Sequence, residues 1–216
     1  MGDDLATRFN GLYTGVVADV LDAEGFRHQV LPAGIAPVRD DMRLAGPAYP
    51  GRGEPTDDIA SDDTPRRLEM LQGVPDGSVS IWECGGHVGS AHWGEIMSLA
   101  ARGRGGIGAV IDGGARDLDF ILEMGFPVFC RFRSPASSIG RWDIVEWGTE
   151  VVIGETTVRP GDWVFGDIDG VVVVPQGILS EVLDGAEAKV AAEEEMRADL
   201  AAGLGAREVF DRRGRF

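Results

Sequence analysis

The amino-acid sequence predicts an α/β fold, and three observations carry the prediction. The runs "IGAVID" and "PVFCRF" are short, apolar and bounded by glycine or proline, which marks buried strands. Between them "DLDFILEMG" repeats its apolar residues at helical spacing and stops on a glycine. Further on, "VRPGDWVFGDIDGVVVVP" reads as two strands joined by a turn at Asp169-Gly170, followed by the alanine- and acid-rich "ILSEVLDGAEAKVAAEEEMRADLAAG", a long terminal helix with a break near Gly185.

The remaining elements follow from the same signals. "TGVVADVLDAEG" predicts a short helix capped by Thr14, with Val16, Val17, Val20 and Leu21 on its inner side and Gly25 as its stop. "RLAGPAY" and "SVSIWECG" predict strands. Between these, "GRGEPTDDIASDDTPRR" predicts a long exposed loop, and the spacing of Asp57, Asp58, Asp62 and Asp63 matches no EF-hand, so these acids are expected in solvent. "SAHWGEIMSLAARG" predicts a helix ending at Gly103. The strand, helix and strand after it should form a parallel, right-handed unit.

A chain of 216 residues suits a single domain spanning residues 1–216. The net charge of -16 excludes direct wrapping by nucleic acid, which needs clustered Lys and Arg. No apolar run approaches the ~20 residues of a membrane span, and the acidic start "MGDDLATRFN" lacks a secretory pattern, so the cytoplasm is the expected compartment. Cys84 and Cys130 lack metal spacing and are expected as buried small hydrophobes. Lys189 is the sole lysine, so Schiff-base chemistry would have to use it.

"GRGGIG" at Gly103–Gly108 satisfies G-x-G-x-x-G, but it follows a helix and precedes a strand, the reverse of a dinucleotide site. It reads as a helix stop and a turn. Gly113 and Gly114 lie at the carboxyl end of the strand, where open α/β sheets place ligands, and "DGGARD" adds Arg116 and Asp117 in a loop that runs into a helix. Taken alone, they fit equally well a ligand site with a bidentate cation and a carboxylate, or an ordinary surface in which Arg116 forms a surface pair and Asp117 caps the helix. "HWGEIM" sets Gly94, Glu95, Ile96 and Met97 around the first turn of the preceding helix, whose free amides suit a small carboxylate. Glu95 and Asp117 then form a carboxylate pair for a hard divalent cation.

At these residues a family resemblance enters. "GEIMSLAARGRGGIGAVIDGGARDLDFILEMGFPVF" and "VRPGDWVFGDIDGVVVVP" resemble the RraA-like family, which includes 4-hydroxy-4-methyl-2-oxoglutarate aldolases with oxaloacetate decarboxylase activity. The resemblance spans about residues 14–203. It implies a compact β/β/α fold of the swivelling-domain type, with a terminal helix used in packing a homotrimer or hexamer whose sites lie between subunits. It also implies a class II pyruvate aldolase using Mg2+ or Mn2+. Asp117 would bind the metal and Arg116 would face the keto oxygen. The amides of Gly94, Glu95, Ile96 and Met97 would hold the carboxylate. Glu95, and Glu193 from a neighbouring subunit with Glu194 as its rival, would hold metal-bound water. Without the resemblance, the "EEE" run reads as a solvated face with Lys189 and Glu193 as an i,i+4 pair.

Three features depart from the pattern or stand outside it. "GPAYP" replaces the "GPAxT" that family members often carry, and in "SPASSIGRWD" Ser138 or Arg141 is either a ligand for a second carboxylate or part of a plain turn. His87 and His92 fit no common zinc pair, which favours a structural role. The competing function within the resemblance is that of a non-catalytic inhibitor binding an RNA-degrading endonuclease through an acidic surface.

Overall fold

The protein is described by a computed structural model covering residues 2–214, with side chains from residue 5 onward. Met1 and residues 215–216, the ends of the expected domain, lie outside the described residues. The chain begins with helices α1 (Gly2–Phe9) and α2 (Thr14–Ala23), strands β1 (Ala36–Pro37) and β2 (Leu44–Pro55), and helix α3 (Thr64–Gln72). Next come strands β3 (Val79–Glu83) and β4 (Ala91–Trp93), helix α4 (Glu95–Gly103), strand β5 (Gly108–Ala115), helix α5 (Leu118–Met124) and strand β6 (Val128–Arg133). The last third holds strands β7 (Trp142–Trp147), β8 (Val151–Ile153), β9 (Thr156–Val158), β10 (Trp163–Asp167) and β11 (Gly170–Val174), then helices α6 (Leu179–Ala201) and α7 (Ala206–Arg213).

Strands β2, β3, β5 and β6 run parallel and side by side, as expected for the central unit. The expected α/β class holds. Beyond β2 lie β10 and β11, antiparallel, and the two edges of the sheet nearly meet: Val30 bridges to Val172 of β11, and Ala36 of β1 pairs with Cys130 of β6. Alternating side chains therefore face either the inside of a curved sheet or the helices outside it. Val79, Ile81, Val110, Phe129 and Val164 fill the inside, under the β8–β9 hairpin. Met70, Ala101 and Ile121 bring α3, α4 and α5 onto Ile111 and Val128. Val17 and Leu21 of α2 and Val182 and Leu183 of α6 cover Phe165 and Val172. Cys84 and Cys130 are buried free thiols, as expected.

Four local expectations need correction, besides the start of the helix expected from Ser90, which begins only at Glu95 because Ala91–Trp93 pair as β4 with the end of β5. The segment expected as a loop from residue 51 to 67 is strand up to Pro55, because the second half of β2 gains an antiparallel partner in β7, and it is helix again from Thr64. Asp63 within it is buried rather than solvated. Gly185 does not break α6: a Cβ there would lie 3.0 Å from Cγ1 of Val20, so the glycine lets α2 and α6 approach. The β10–β11 turn is centred on Ile168 and Asp169, one residue earlier than expected.

The fourth correction concerns Thr14, which opens α2 without capping it. Its N–H and hydroxyl both donate to the buried Asp167 carboxylate, at 2.8 and 2.7 Å, and Asp167 also accepts the N–H of Asp169 at 3.0 Å. One carboxylate thus fixes the start of α2 to the β10–β11 hairpin. An Asp167→Ala change strands these donors, and the unfolding free energy in urea should fall by roughly 2–3 kcal/mol; a loss below about 0.5 kcal/mol would refute the clamp.

Candidate active site

The short strand β4 assembles the site. It lies parallel to the end of β5, with Ala91 opposite Gly114 and Trp93 opposite Ala115, and the N–H of Arg116 donates to the Trp93 carbonyl at 3.0 Å. This brings the "HWGE" and "GARD" segments together. Gly94 is the N-cap of α4, in extended conformation and with no side-chain cap, and Asp117 occupies the same position in α5. A Cβ at Gly94 would fall 2.8 Å from Oδ2 of Asp117 and 3.2 Å from Cγ of Arg116, so a side chain there would displace the Asp117 carboxylate and the Arg116 stem from their present positions.

Gly113 and Gly114 lie toward the carboxyl end of β5 as expected, but both are buried within the strand instead of opening to a ligand. At Gly113 a Cβ would approach the Cys84 sulfur to 2.9 Å and strike the His92 ring, so the glycines admit neighbours rather than ligands. Asp117 is the sole non-glycine residue with positive φ among the described residues, at φ 57° and ψ 38°. Its side chain makes no capping bond and lies 3.3 Å from Nε of Arg116, both groups being about two-fifths exposed. A left-handed conformation held without a local hydrogen bond is strain that the surrounding packing must sustain, and such strain concentrates at functional sites.

Gly94, Ile96, Met97, Arg116 and Asp117 line a cavity of about 230 Å³. Glu95 is half-buried on the first turn of α4 but is not part of that lining. Ser138 lines the cavity, whereas Arg141 lines a neighbouring recess with His87 and donates to the carbonyl of Ser137. The sequence reading missed Arg67, which enters the cavity from α3 and bonds both oxygens of Asp63 at 2.7 and 2.9 Å and the Ser138 hydroxyl at 3.1 Å. The signal was present in "DDTPRR": a proline at the second position of a helix and an acid four residues before an arginine.

Glu193 is placed elsewhere in the chain. It accepts from the Tyr13 hydroxyl and, at 2.7 Å, from Arg197, while Lys189 pairs with Asp19 rather than with Glu193. Glu194 is exposed on the same helix. Within one chain, therefore, Arg116, Asp117 and the Gly94–Met97 turn converge and the acids of α6 do not join them.

His87 and His92 bond to each other, Nδ1 to Nε2, at 2.9 Å. The N–H of Gly114 donates to Nδ1 of His92 at 3.0 Å, so that nitrogen carries no proton and the neutral ring donates from Nε2 to His87. Both nitrogens of His92 are occupied, leaving no lone pair for a substrate. The structural role expected for this residue holds.

With this geometry in place, likeness to known proteins becomes informative. The RraA-like family model, described as "Aldolase/RraA", matches residues 14–173. The chain belongs to the RraA-like family. A Halalkalibacterium halodurans relative named "Putative 4-hydroxy-4-methyl-2-oxoglutarate aldolase" is 31% identical over 191 residues, 88% of this chain and 86% of that protein. An uncharacterized protein from Pseudomonas syringae pv. tomato, known by its crystal structure, aligns with a TM-score of 0.87 and 30% identity over 97% of this chain and 93% of its own. Streptomyces coelicolor RraAS2, described as an unusual member of the RNase ES inhibitor RraA protein family, aligns with a TM-score of 0.80 and 26% identity over 90% and 96%. The RraA-like assignment thus covers the β4–α4–β5–α5 unit that builds the site.

Burial, reinforced by the charges of His87 and Arg67, pushes His92 down to about 4. A histidine depressed on folding favours the neutral native form. Its contribution to stability is therefore intact above its unfolded value near 6.5 and is lost as pH falls from there through about 4. Between pH 7.5 and pH 5 this one site should cost about 2 kcal/mol of unfolding free energy, and a His92→Gln variant should lack that increment. Equal losses in the two proteins over this interval would show that His92 is not responsible.

Proposed function

We propose that this RraA-like protein is a divalent-metal-dependent pyruvate aldolase, cleaving a 4-hydroxy-2-oxo acid to pyruvate, and that it also decarboxylates oxaloacetate. The observation that carries this reading is the convergence of a guanidinium, a carboxylate and an uncapped helix N-terminus at one cavity, in Arg116, Asp117 and the turn from Gly94 to Met97. The names of the relatives support the same direction.

Asp117 offers a hard oxygen donor that is two-fifths exposed and, among the described residues, paired with Arg116 at 3.3 Å. A lone accessible carboxylate suits Mg2+ or Mn2+, which keep several waters and take one or two carboxylates from the protein. Asp117 would hold the cation directly, with Glu95 and a neighbouring subunit's Glu193 acting through water. Such a cation supplies Lewis acidity at the 2-oxo group.

The chain's own groups do the rest. The free amides at the start of α4 bind and orient the substrate carboxylate. Arg116 stabilises negative charge on the 2-oxo oxygen as the C3–C4 bond breaks and its electron pair moves through C2. In aldol cleavage the 4-hydroxyl gives its proton to a water held by Glu95 and Glu193, and C3 then takes a proton to yield pyruvate. In decarboxylation carbon dioxide leaves instead, and no hydroxyl proton need be removed.

Pyruvate release from oxaloacetate and from 4-hydroxy-2-oxo acids should vanish on chelation and return with Mg2+ or Mn2+, while Lys189→Arg stays active. Arg116→Lys should lower kcat by about 10²-fold or more, because a point charge cannot replace a fork of donors at the developing oxyanion. If no 2-oxo acid yields pyruvate with either cation, the aldolase reading fails. The acidic chain, with its net charge of -16, would then be tested against basic segments of an RNA-degrading endonuclease.

Assembly has its own test. Inactive Asp117→Ala and Glu193→Ala chains, co-expressed, should regain part of the activity in mixed oligomers. Mixed oligomers with no recovery would exclude a site shared between subunits.

A further inference from the structure

The cavity has a second fixed cation that the aldolase chemistry does not use. Arg67 reaches it from α3, an element separate from those that carry Arg116 and Asp117. Its guanidinium is locked from one side. Nη2 bonds both oxygens of Asp63 and the Ser138 hydroxyl, and the buried Asp63 is itself held by the N–H of Ile144 at 2.9 Å. Nη1 faces a different environment. Its contact is the thioether of Met97, at 3.5 Å, and Met97 stands on the α4 turn that lines the same cavity.

A thioether is a weak acceptor, so Nη1 retains its capacity for a charged partner. The Asp63 clamp also removes most of the ordering cost that a long arginine side chain otherwise incurs on binding. The walls nearby, Leu68 and Ile139, are apolar and offer no competing anion.

We infer that Arg67, with the Ser138 hydroxyl beside it, binds the distal carboxylate of the substrate and selects short dicarboxylic 2-oxo acids over those with uncharged tails. The assignment rests on the aldolase reading, which sets the carboxylate next to the 2-oxo group on the α4 amides and the 2-oxo oxygen at Arg116, and leaves Arg67 for the other end. Arg141, exposed and turned to the neighbouring recess, is not needed for this role.

Two arms test it. In the first, kcat/KM is compared for 4-hydroxy-2-oxoglutarate and for 4-hydroxy-2-oxopentanoate, which carries a methyl group in place of the second carboxylate and is cleaved at the same bond. In the second, succinate and butyrate, equal in length and differing by one charge, are titrated calorimetrically with no turnover. Arg67→Met alone would bury an unpaired Asp63 charge, so the variant is the double change Asp63→Asn with Arg67→Met, its fold checked by circular dichroism. The intact protein should bind succinate at least tenfold more tightly than butyrate, as a charge-assisted bond requires, and the double variant should lose most of that preference.

The kcat/KM ratio of dicarboxylate to monocarboxylate should fall by about the same factor. If the double variant does not fold, Arg67→Lys should show the same loss at smaller amplitude. A preference for succinate that survives in a folded variant, or is missing from the intact protein, overturns the assignment. Loss of the succinate preference in a protein that releases no pyruvate from any substrate would sustain Arg67 as the dianion reader and sink the aldolase reading alone.

Discussion

The site depends on one close approach, that of β4 to the end of β5. Arg116, Asp117 and the Gly94 turn are carried by backbone that this contact positions: the carbonyl of Trp93 takes the N–H of Arg116, and the N–H of Gly114 reaches the His92 ring. A side chain at Gly113 would push His92 away, and with it Trp93 and the start of α4. Two helix N-termini from different βα turns then face each other across Gly94. Each turn alone is an ordinary strand-to-helix connection; side by side they combine a cation, a carboxylate and free amides.

The same contact explains why Asp117 can persist in a left-handed conformation. For a residue with a Cβ this backbone geometry is unfavourable by about 1–2 kcal/mol, and here no capping bond offsets it. The compensation is structural. β5 is fully buried along its length and paired on both sides, and α5 is anchored through Ile121, so the residue between them has little freedom to relax. The reversal sends the Asp117 carboxylate back toward Gly94 instead of onto the amides of its own helix. A relaxed N-cap would consume the carboxylate locally; the strained one leaves it available.

Legibility in the sequence followed the range of the forces involved. The unit from α4 to β6 was readable because local signals, apolar periodicity and glycine stops, agree there with the tertiary environment. Arg116, Asp117 and the Gly94 turn were legible as neighbouring loops, but their residue types alone fit a surface pair and a helix cap as well as a ligand site, and the family resemblance chose between these readings. The segment from Gly51 to Pro55 was not readable. Its glycines and prolines signal a loop, yet β3 and β7 pair with it from both sides and the Trp82 and Trp142 rings lie over Gly51 and Gly53. Asp63 and Arg67 were hidden by that misreading, since an acid and a base in an assumed loop carry no partner information. Gly185 and Thr14 failed for a related reason. A glycine that admits a neighbouring helix looks like one that ends a helix, and a threonine bonded to a distant aspartate looks like a cap.

The charge distribution adds a last constraint on selectivity. A chain with net charge -16 repels anions at long range, but at physiological ionic strength such a field decays within about 8 Å. Recognition of an anion must therefore be local, and the cavity meets that requirement with Arg67 and Arg116 on separate elements, each steadied by a single acid. The two pairings differ in kind. Asp63 is buried and grips Arg67 with both oxygens, which fixes the guanidinium; Asp117 is open and touches Arg116 at one distance, which leaves both groups able to engage a third. Buried pairing gives a rigid recognition group, and exposed pairing gives a reactive one. The cavity joins one of each, and the proposed division of labour, Arg67 to hold a substrate and Arg116 to act on it, draws on this difference in how tightly each arginine is held.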